Sequence, residues 1–284
     1  MKKFFIAFAI LLLVAGSGIC ITILAMNEFN YRKVINSNIV ENTHAIEGSY
    51  TNIEIDESIN DVELVYITEG DERVETRSLE DYKYEVKVED DTLFVKAINN
   101  RKWYEFYTWV GATDCKTTIY VKNNEFNSFK CDMSTGDIAL KNYKFNSLNL
   151  DVTTGDIILE NVEVSNDVVL DSSTGDIELK NTNINGKLTV KLSTGSIDLI
   201  NTTVLGDTLL KSSTGSIRFD KFNGQKIEAS TSTGSIKGSL VGDHDYTPRP
   251  KSDTGDDDNY PDSISGAPVC ILKTSTGDIN ITKA

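Results

Sequence analysis

The sequence predicts an all-β protein, a parallel β-solenoid (β-helix) of about seven rungs with an N-terminal transmembrane helix and a β cap. Two observations predict the solenoid: a five-residue phrase, first STGDI from Ser134, recurs along the chain, and no stretch shows helical spacing. Through six copies the glycines are spaced 19, 20, 20, 20 and 19 residues apart, a period typical of stacked repeats. The glycines of the seven copies are predicted structural turns: Gly136, Gly155, Gly175, Gly195, Gly215, Gly234 and Gly277.

Between copies of the phrase, apolar and polar residues alternate, which predicts short strands with one buried face. About 20 residues per repeat leave no room for a crossover helix, so each rung should hold two or three strands. Each rung should pair in parallel with the next, about 4.8 Å away. Thr208 interrupts the apolar set that follows Gly195. The set that follows Gly175 is complete, with Ile177, Leu179, Ile184, Leu188 and Val190.

Two columns of residues predict the corners of each rung. Glycine suits the first corner because it adopts backbone conformations that other residues avoid. The serine and threonine side chains before it can bind nearby backbone groups. A second corner is predicted six residues after the glycines, at Asn142, Asn161, Asn181 and Asn201.

The N-terminus predicts a membrane anchor. Residues 4–25 form a run of 22 uncharged residues behind Lys2 and Lys3. As a helix this run is about 33 Å long, enough to cross a bilayer. We expect residues 1–26 to be an uncleaved transmembrane signal anchor, with the membrane as partner through residues 4–25. A cleaved signal peptide and a lipoprotein attached at Cys20 are the alternatives.

The rest of the chain divides by composition and spacing. Residues 27–45 are polar and predict a stalk, and residues 46–125 predict a β-rich cap region with irregular strand spacing. Residues 126–284 carry the repeats and predict the solenoid. Within the cap region, the alternating residues on both sides of the acidic stretch 89–91 predict a hairpin.

Residues 242–270 interrupt the repeat and form an acidic insert. The stretch from Ser252 to Asp256 is a degenerate copy of the phrase that lacks the isoleucine. We expect a bulged rung or an exposed acidic loop near the end of the stack.

An aromatic segment follows the predicted hairpin. A solenoid end exposes apolar core and must be covered, so we expect these side chains to form a cap. The alternatives are a platform on which sugar rings stack and a contact with the membrane interface. The candidate binding patch is Trp103, Tyr104, Phe106, Tyr107 and Trp109.

Carboxylates gather beside the first three glycine corners. Stacked about 5 Å apart, they repel one another, and Ca²⁺ could relieve the repulsion by binding their oxygens. The alternative, which we favour, is a solvated acidic edge in which each aspartate binds a backbone amide of the turn. No other cofactor is expected. The candidate metal ligands are Asp132, Asp137, Asp151, Asp156, Asp171 and Asp176.

The sequence gives little support to catalysis. Its two histidines are His44 and His244, and no nucleophile elbow, phosphate loop or zinc spacing is present. We therefore expect no enzyme and no small-molecule substrate. The remaining catalytic hypothesis is a polysaccharide-cleaving column of acidic and basic residues, namely Asp151, Asp171, Lys191 and Lys211.

Charge and cysteine content restrict the partners and the redox chemistry. A net charge of −15 argues against nucleic acid and against an anionic membrane surface. Beyond the apolar run there are three cysteines, Cys115, Cys131 and Cys270. An odd number leaves at least one unpaired in a monomer. A Cys115–Cys131 disulfide and buried free thiols both remain open.

Together these features resemble the bacterial envelope proteins of unknown function grouped as a "putative adhesin" family with β-strand repeats, among them LiaG-type membrane-anchored proteins. The resemblance covers about residues 46–284. It implies a surface-exposed solenoid and brings no catalytic residues. It rests on the STGDI and STGSI phrases, on TIYV from Thr118, on GSLVGD from Gly238, and on the ending from Ser263 to Ile279.

From the residues and the resemblance we expect a non-enzymatic surface protein of the bacterial envelope. It would cross the cytoplasmic membrane once, with its C-terminal domain extracytoplasmic. As an adhesin or interaction scaffold it would bind an envelope protein, a glycan or a wall polymer. The main alternative is a regulatory or structural spacer for an envelope-stress sensing system, and a polysaccharide-acting enzyme is the distant one.

Overall fold

The computed structural model describes residues 16–18, 21, 22, 25, 39–100, 114–246, 251–256 and 261–284, and it is all-β apart from the helical residues before 26. The strands are β1 (Ile39–Ala45), β2 (Asn52–Glu57), β3 (Asp61–Tyr66), β4 (Arg73–Leu79), β5 (Tyr82–Glu89), β6 (Thr92–Asn99), β7 (Lys116–Val121), β8 (Glu125–Thr135), β9 (Ile138–Lys141), β10 (Lys144–Thr154), β11 (Ile157–Glu160), β12 (Glu163–Val164), β13 (Val168–Thr174), β14 (Ile177–Lys180), β15 (Asn183–Ile184), β16 (Leu188–Thr194), β17 (Ile197–Ile200), β18 (Thr203–Thr214), β19 (Ile217–Thr233), β20 (Ile236–Leu240), β21 (Lys251–Thr254), β22 (Cys270–Thr276) and β23 (Ile279–Lys283).

Two parallel ladders form the repeat region, and their arrangement is solenoid-like. Sheet 1 contains β8, β10, β13, β16, β18, β19 and β22 in that order. Sheet 2 contains β9, β11, β14, β17, β19, β20 and β23. Each residue lies beside its equivalent in the next copy, as Leu150 lies beside Leu170 and Leu170 beside Val190. The predicted parallel pairing is confirmed.

A single apolar core runs between the two sheets. The five inward residues predicted after Gly175 are all fully buried, at 0% exposure, which confirms the strand alternation. Thr208 lies beside Leu188 and occupies the same inward position. It is also buried, although its hydroxyl has no hydrogen-bond partner among the described residues. The ladder therefore continues across a polar side chain in the core.

The glycine corner brings successive rungs into backbone contact. Gly155 and Gly175 have φ values of 144° and 136°, in the region that favours glycine. The Gly155 amide donates to the carbonyl of Thr174 at 2.8 Å. A Cβ atom built on Gly175 would overlap the carbonyl oxygen of Gly155. Both the dihedral angle and the close approach therefore require glycine.

The second predicted corner is also confirmed. Asn142, Asn161, Asn181 and Asn201 have φ values of 63°, 55°, 50° and 47°. Their side-chain amides form a ladder in which each Nδ2 donates to the preceding Oδ1, with distances of 2.9, 3.1 and 2.8 Å. Asparagine tolerates this left-handed conformation better than most residues, and here its side chain also joins the rungs.

The parallel ladders extend N-terminally past residue 126, the predicted start of the solenoid. β2 lies beside β8, with Ile55 next to Cys131, and β3 lies beside β9, with Val62 next to Ile138. Strands of the cap region thus continue both sheets although they carry no copy of the phrase. Beyond them, β6 pairs with β2 and β7 pairs with β3, both in parallel.

Antiparallel strands complete the N-terminal end. β5 and β6 form the predicted hairpin, with Asp90 and Asp91 at positive φ in its turn. Residues 39–45, which the sequence places in the stalk, instead form β1 and pair with β4 over their whole length. This pairing uses backbone hydrogen bonds at a sheet edge, so it does not need the apolar alternation by which strands are recognised.

The acidic insert adds a strand at the far end of sheet 1. β21, from the degenerate copy, pairs in parallel with β22, and the Gly277 amide donates to the carbonyl of Thr254 at 2.8 Å. β21 therefore lies beyond the last copy of the phrase, although it precedes that copy in the chain. A copy that lacks the inward isoleucine suits the end of the stack, because no further rung continues the core there.

The predicted transmembrane segment, residues 4–25, lies mostly outside the described residues. Within the described residues, no helix is both long enough and apolar enough to span a bilayer.

We expect Gly175→Ala to destabilise the fold by about 3 kcal/mol or more, through the strained φ and the overlap with the Gly155 carbonyl. Gly242→Ala is the matched control, since Gly242 has a φ of 88° and no atom within 4 Å of the added Cβ. It should cost only about 1 kcal/mol. Denaturant unfolding of both variants measures the difference, and equal costs would contradict the requirement for close approach.

Candidate functional site

The outer faces of the two sheets and the corners between them carry most of the predicted site residues. The aromatic segment Trp103–Trp109 is the exception, because it lies outside the described residues. The aromatic binding patch therefore stays a prediction.

The aspartates that follow the glycines bind backbone amides of the next rung. Oδ1 of Asp137 accepts the amide of Asp156, Oδ1 of Asp156 accepts that of Asp176, and both distances are 2.7 Å. Asp61 starts the column by accepting the Asp137 amide at 2.8 Å. In later rungs Ser216 makes the equivalent bond at 3.3 Å. This geometry supports the interpretation in which each aspartate binds a turn amide.

The geometry does not gather these aspartates around a common ion. Their Oδ1 atoms point along the stack to successive amides. Across the part of the chain that the structure describes, no three histidine, cysteine, aspartate or glutamate side chains converge as a metal site.

Asp132, Asp151 and Asp171 belong to a different column, on the outer face of sheet 1. We call it the charged column; in order along the stack it contains Asp56, Asp132, Asp151, Asp171, Lys191, Lys211, Ser230 and Lys273. Beyond its ends lie Lys96 of β6, beside Asp56, and Lys251 of β21, beside Lys273. Asp171 and Lys191 form an ion pair at 3.9 Å where the sign changes. The residues of the catalytic hypothesis thus lie in one line on a sheet face and do not face one another across a groove.

A buried polar network, which the sequence analysis missed, lies near the N-terminal end. Glu57 is only 2% exposed. Its Oε2 accepts the hydroxyl of Thr117 at 2.7 Å, and its Oε1 accepts the Ser58 amide at 2.8 Å and the Tyr84 hydroxyl at 3.1 Å. Burial raises the pKa of the Glu57 carboxyl, and these hydrogen bonds act in the opposite direction.

Asn60 extends this network to a further strand. Its Nδ2 donates to the Thr117 hydroxyl at 3.0 Å, and its Oδ1 accepts the Ser78 hydroxyl at 3.0 Å. The network thus joins β2, β4, β5 and β7. One sequence signal could have revealed it, because Glu57 continues the inward alternation of Ile53 and Ile55.

The three cysteines are free and buried, so the Cys115–Cys131 disulfide is not formed. Burial raises the pKa of Cys131 well above its ordinary value and the pKa of Cys270 to about 12. Both thiols therefore stay protonated at neutral pH, and neither is a ready nucleophile.

Two open cavities lie at the N-terminal end of the sheets. One, of about 400 Å³, is lined by Glu75, Arg77, Lys116 and other residues of β1, β4 and β7. Another, of about 310 Å³, is lined by β2, β5 and β6 and includes Asp56, the first member of the charged column. Charged side chains surround both cavities.

The fold defines an all-β, solenoid-like repeat protein. Its outward side chains are aligned in columns along the two sheets. Residues 50–282 match the Toastrack DUF4097 family, and the chain belongs to that family. Among curated protein sequences, none matches this chain.

Several solved bacterial structures resemble the chain over most of its length. A "putative adhesin" from Bacteroides fragilis NCTC 9343 is 14% identical, with 87% of this chain and 99% of that chain covered and a TM-score of 0.44. A "putative adhesin" from Parabacteroides merdae ATCC 43184 is 13% identical, with 88% and 97% covered and a TM-score of 0.45. A "putative lipid binding protein" from Parabacteroides distasonis ATCC 8503 is 17% identical, with 88% and 98% covered and a TM-score of 0.46.

The aspartate corners can be tested by separating geometry from charge. Asp156→Ala removes the acceptor for the Asp176 amide and should cost about 1–2 kcal/mol. Asp156→Asn keeps a carbonyl oxygen at the same place, so it should cost clearly less. Thermal unfolding with and without Ca²⁺ measures both effects. A rise in Tm with Ca²⁺ that only the parent shows would contradict the turn-amide role.

Glu57 should make stability depend on pH. Because burial raises its pKa in the folded state, its contribution to stability is fully present below the ordinary value of 4.5 and is lost as pH rises through the folded pKa. Glu57→Gln removes the titrating carboxyl. The unfolding free energy of this variant should therefore fall less between pH 4 and pH 8 than that of the parent protein. Denaturant unfolding across that range is the measurement, with the exposed Glu125→Gln as control. Parallel profiles for parent and Glu57→Gln would refute the assignment.

Proposed function

We propose that this protein is a non-enzymatic interaction scaffold of the bacterial envelope, with the role of an adhesin. It is anchored in the cytoplasmic membrane by a single pass through residues 4–25, and its β stack is extracytoplasmic. One observation carries the proposal: outward side chains are aligned in registered columns on two parallel sheets, over a core that is continuous and apolar.

The packing of the core determines where a ligand can bind. Inward positions along both sheets are filled by buried side chains, from Ile53 at one end to Ile281 at the other. A ligand therefore binds the outer faces, where equivalent side chains repeat about every 4.8 Å. A regular row of weak contacts suits an extended polymer or a broad protein surface, because several contacts then act together.

The chemistry of the chain favours a glycan or wall polymer as the ligand. The net charge of −15 disfavours nucleic acid. Trp103 and Trp109 supply aromatic faces on which sugar rings stack, at the point where the chain passes from β6 to β7.

A spacer in an envelope-stress sensing system is the second candidate. The contacts between successive glycine corners favour a spacer. These backbone contacts fix the rise per rung and hence the length of the stack. A spacer needs a defined length and a protein partner at one end, whereas an adhesin needs a ligand on its faces.

The proposal is tested by in-cell crosslinking of the full-length anchored chain, followed by mass spectrometry of the captured material. We expect glycan or wall polymer to be captured. Trp103→Ala combined with Trp109→Ala should reduce capture about tenfold or more, the loss typical of aromatic anchors. Tyr66→Ala is the control, since Tyr66 is an exposed aromatic residue elsewhere on the surface.

Other captured material would overturn the adhesin role. One membrane protein recovered reproducibly, at a level that the tryptophan substitutions do not change, would establish the spacer instead. If the crosslinking captures no glycan, no wall polymer and no protein other than copies of the chain itself, both candidates are contradicted.

A further inference from the structure

The charged column on sheet 1 is divided by sign. Its first four members are carboxylates and three of its last four are amines, the other being Ser230, and the sign changes between the neighbouring residues Asp171 and Lys191. The division is not imposed by the fold, because Asp151 and Lys191 occupy equivalent, exposed positions two rungs apart.

Within one copy this arrangement leaves charges unsatisfied. Asp132 and Asp151 are neighbours about 4.8 Å apart, a spacing at which like charges repel. Asp171 and Lys191 form the ion pair at the junction, but Asp151 and Lys211 have no ion-pair partner within the described residues.

On the outer face of sheet 2, one column has alternating rather than segregated charges. In this column Glu160 lies between Lys141 and Lys180. Glu160 pairs with these lysines at 3.3 and 3.1 Å. In the column beside this one the signs are segregated, since Glu178 and Asp198 precede Arg218 and Lys237. Alternation therefore satisfies a column within one copy, whereas segregation leaves charges available to a partner.

We infer that the outer face of sheet 1 binds a second copy of this chain in antiparallel orientation. The two-fold axis runs along the strands, between the rungs of Asp171 and Lys191. This rotation reverses the column, so that three of its four carboxylates lie opposite an amine and Asp132 lies opposite Ser230 of the second copy. The resulting contacts are Asp171 with Lys191 of the second copy, Asp151 with Lys211 of the second copy, and Asp56, which already pairs with Lys96, with Lys273 of the second copy.

The neighbouring outward column fits the same axis. In order along the stack it contains Glu54, Lys130, Asn149, Val169, Thr189, Leu209, Glu228 and Ile271. Lys130 already pairs with Glu54 at 2.7 Å. Rotation about the axis sets Lys130 opposite Glu228 of the second copy. Near the centre it sets Val169, which is 39% exposed, opposite Thr189 of the second copy. One symmetry operation thus gives both columns contacts between opposite charges, three kinds in the charged column and one in its neighbour.

The contact area predicts a weak and salt-sensitive dimer. Eight rungs span about 34 Å, and a seven-residue strand spans about 20 Å, which gives about 700 Å² per copy. This area is near the lower end for specific interfaces. Because its contacts are mostly between exposed charges, added salt should weaken it. The inference goes beyond the proposed function, since it needs neither the anchor nor the aromatic segment.

The first test is a zero-length carbodiimide crosslink of the full chain in detergent, followed by peptide mass spectrometry. We expect an amide between Asp151 and Lys211. Within one copy these residues are three rungs apart, about 14 Å, which is too far for a direct bond. A dimer band without this crosslink would contradict the antiparallel register.

The second test is charge reversal, measured by sedimentation at low salt. Asp151→Lys and Lys211→Asp should each weaken self-association about tenfold or more. An equimolar mixture of the two variants should restore it, because each 151–211 contact then joins opposite charges. Neither variant should harm folding, since each removes a like-charged neighbour within its own copy.

The matched control is Glu178→Lys, which makes the same charge change on the outer face of sheet 2 and should leave association unchanged. A monomeric parent at low salt, a mixture that fails to associate, or an equal loss in the control would each overturn the inference. So would binding of a different protein to this face without self-association. None of these results bears on polymer capture by the tryptophan variants.

Discussion

The structure depends on the contact between successive glycine corners. The carbonyl oxygen of one glycine occupies the space where the next glycine would otherwise carry a Cβ atom, and the adjoining amide donates to the next rung. This contact fixes the distance between rungs and their register together. Because the register is fixed, every other residue lies beside its equivalent one period later. The aspartate and asparagine ladders and the apolar columns all follow from this single constraint.

The same constraint explains why so much could be predicted from the sequence. A period of about 20 residues sets the neighbours of each residue, so the sequence predicts that Leu150, Leu170 and Val190 share one column. The Asn161 corner and the role of Asp156 follow in the same way. Even Thr208, which breaks the apolar pattern, lies where the period puts it.

Features outside the period could not be predicted. The Glu57 network joins residues up to 60 positions apart, and no repeat relates them. β1 is held by backbone bonds at an edge, so its side chains carry no signal. β21 precedes β22 in the chain but lies beyond it in the stack, where no further rung continues the core and an inward isoleucine is not needed. Each of these features lies where the stack begins or ends.

The inward and outward positions of the sheets are therefore subject to different constraints. Inward positions must fill the space between two sheets, and most of them are apolar. Outward positions meet no such limit, since the ladder holds Asp171 and Lys191 side by side with the same backbone geometry. Folding alone would favour alternating signs there, as around Glu160. The segregated signs of the charged column are therefore not required by the fold, and this freedom of the outward positions underlies our proposal that a second copy binds the outer face of sheet 1.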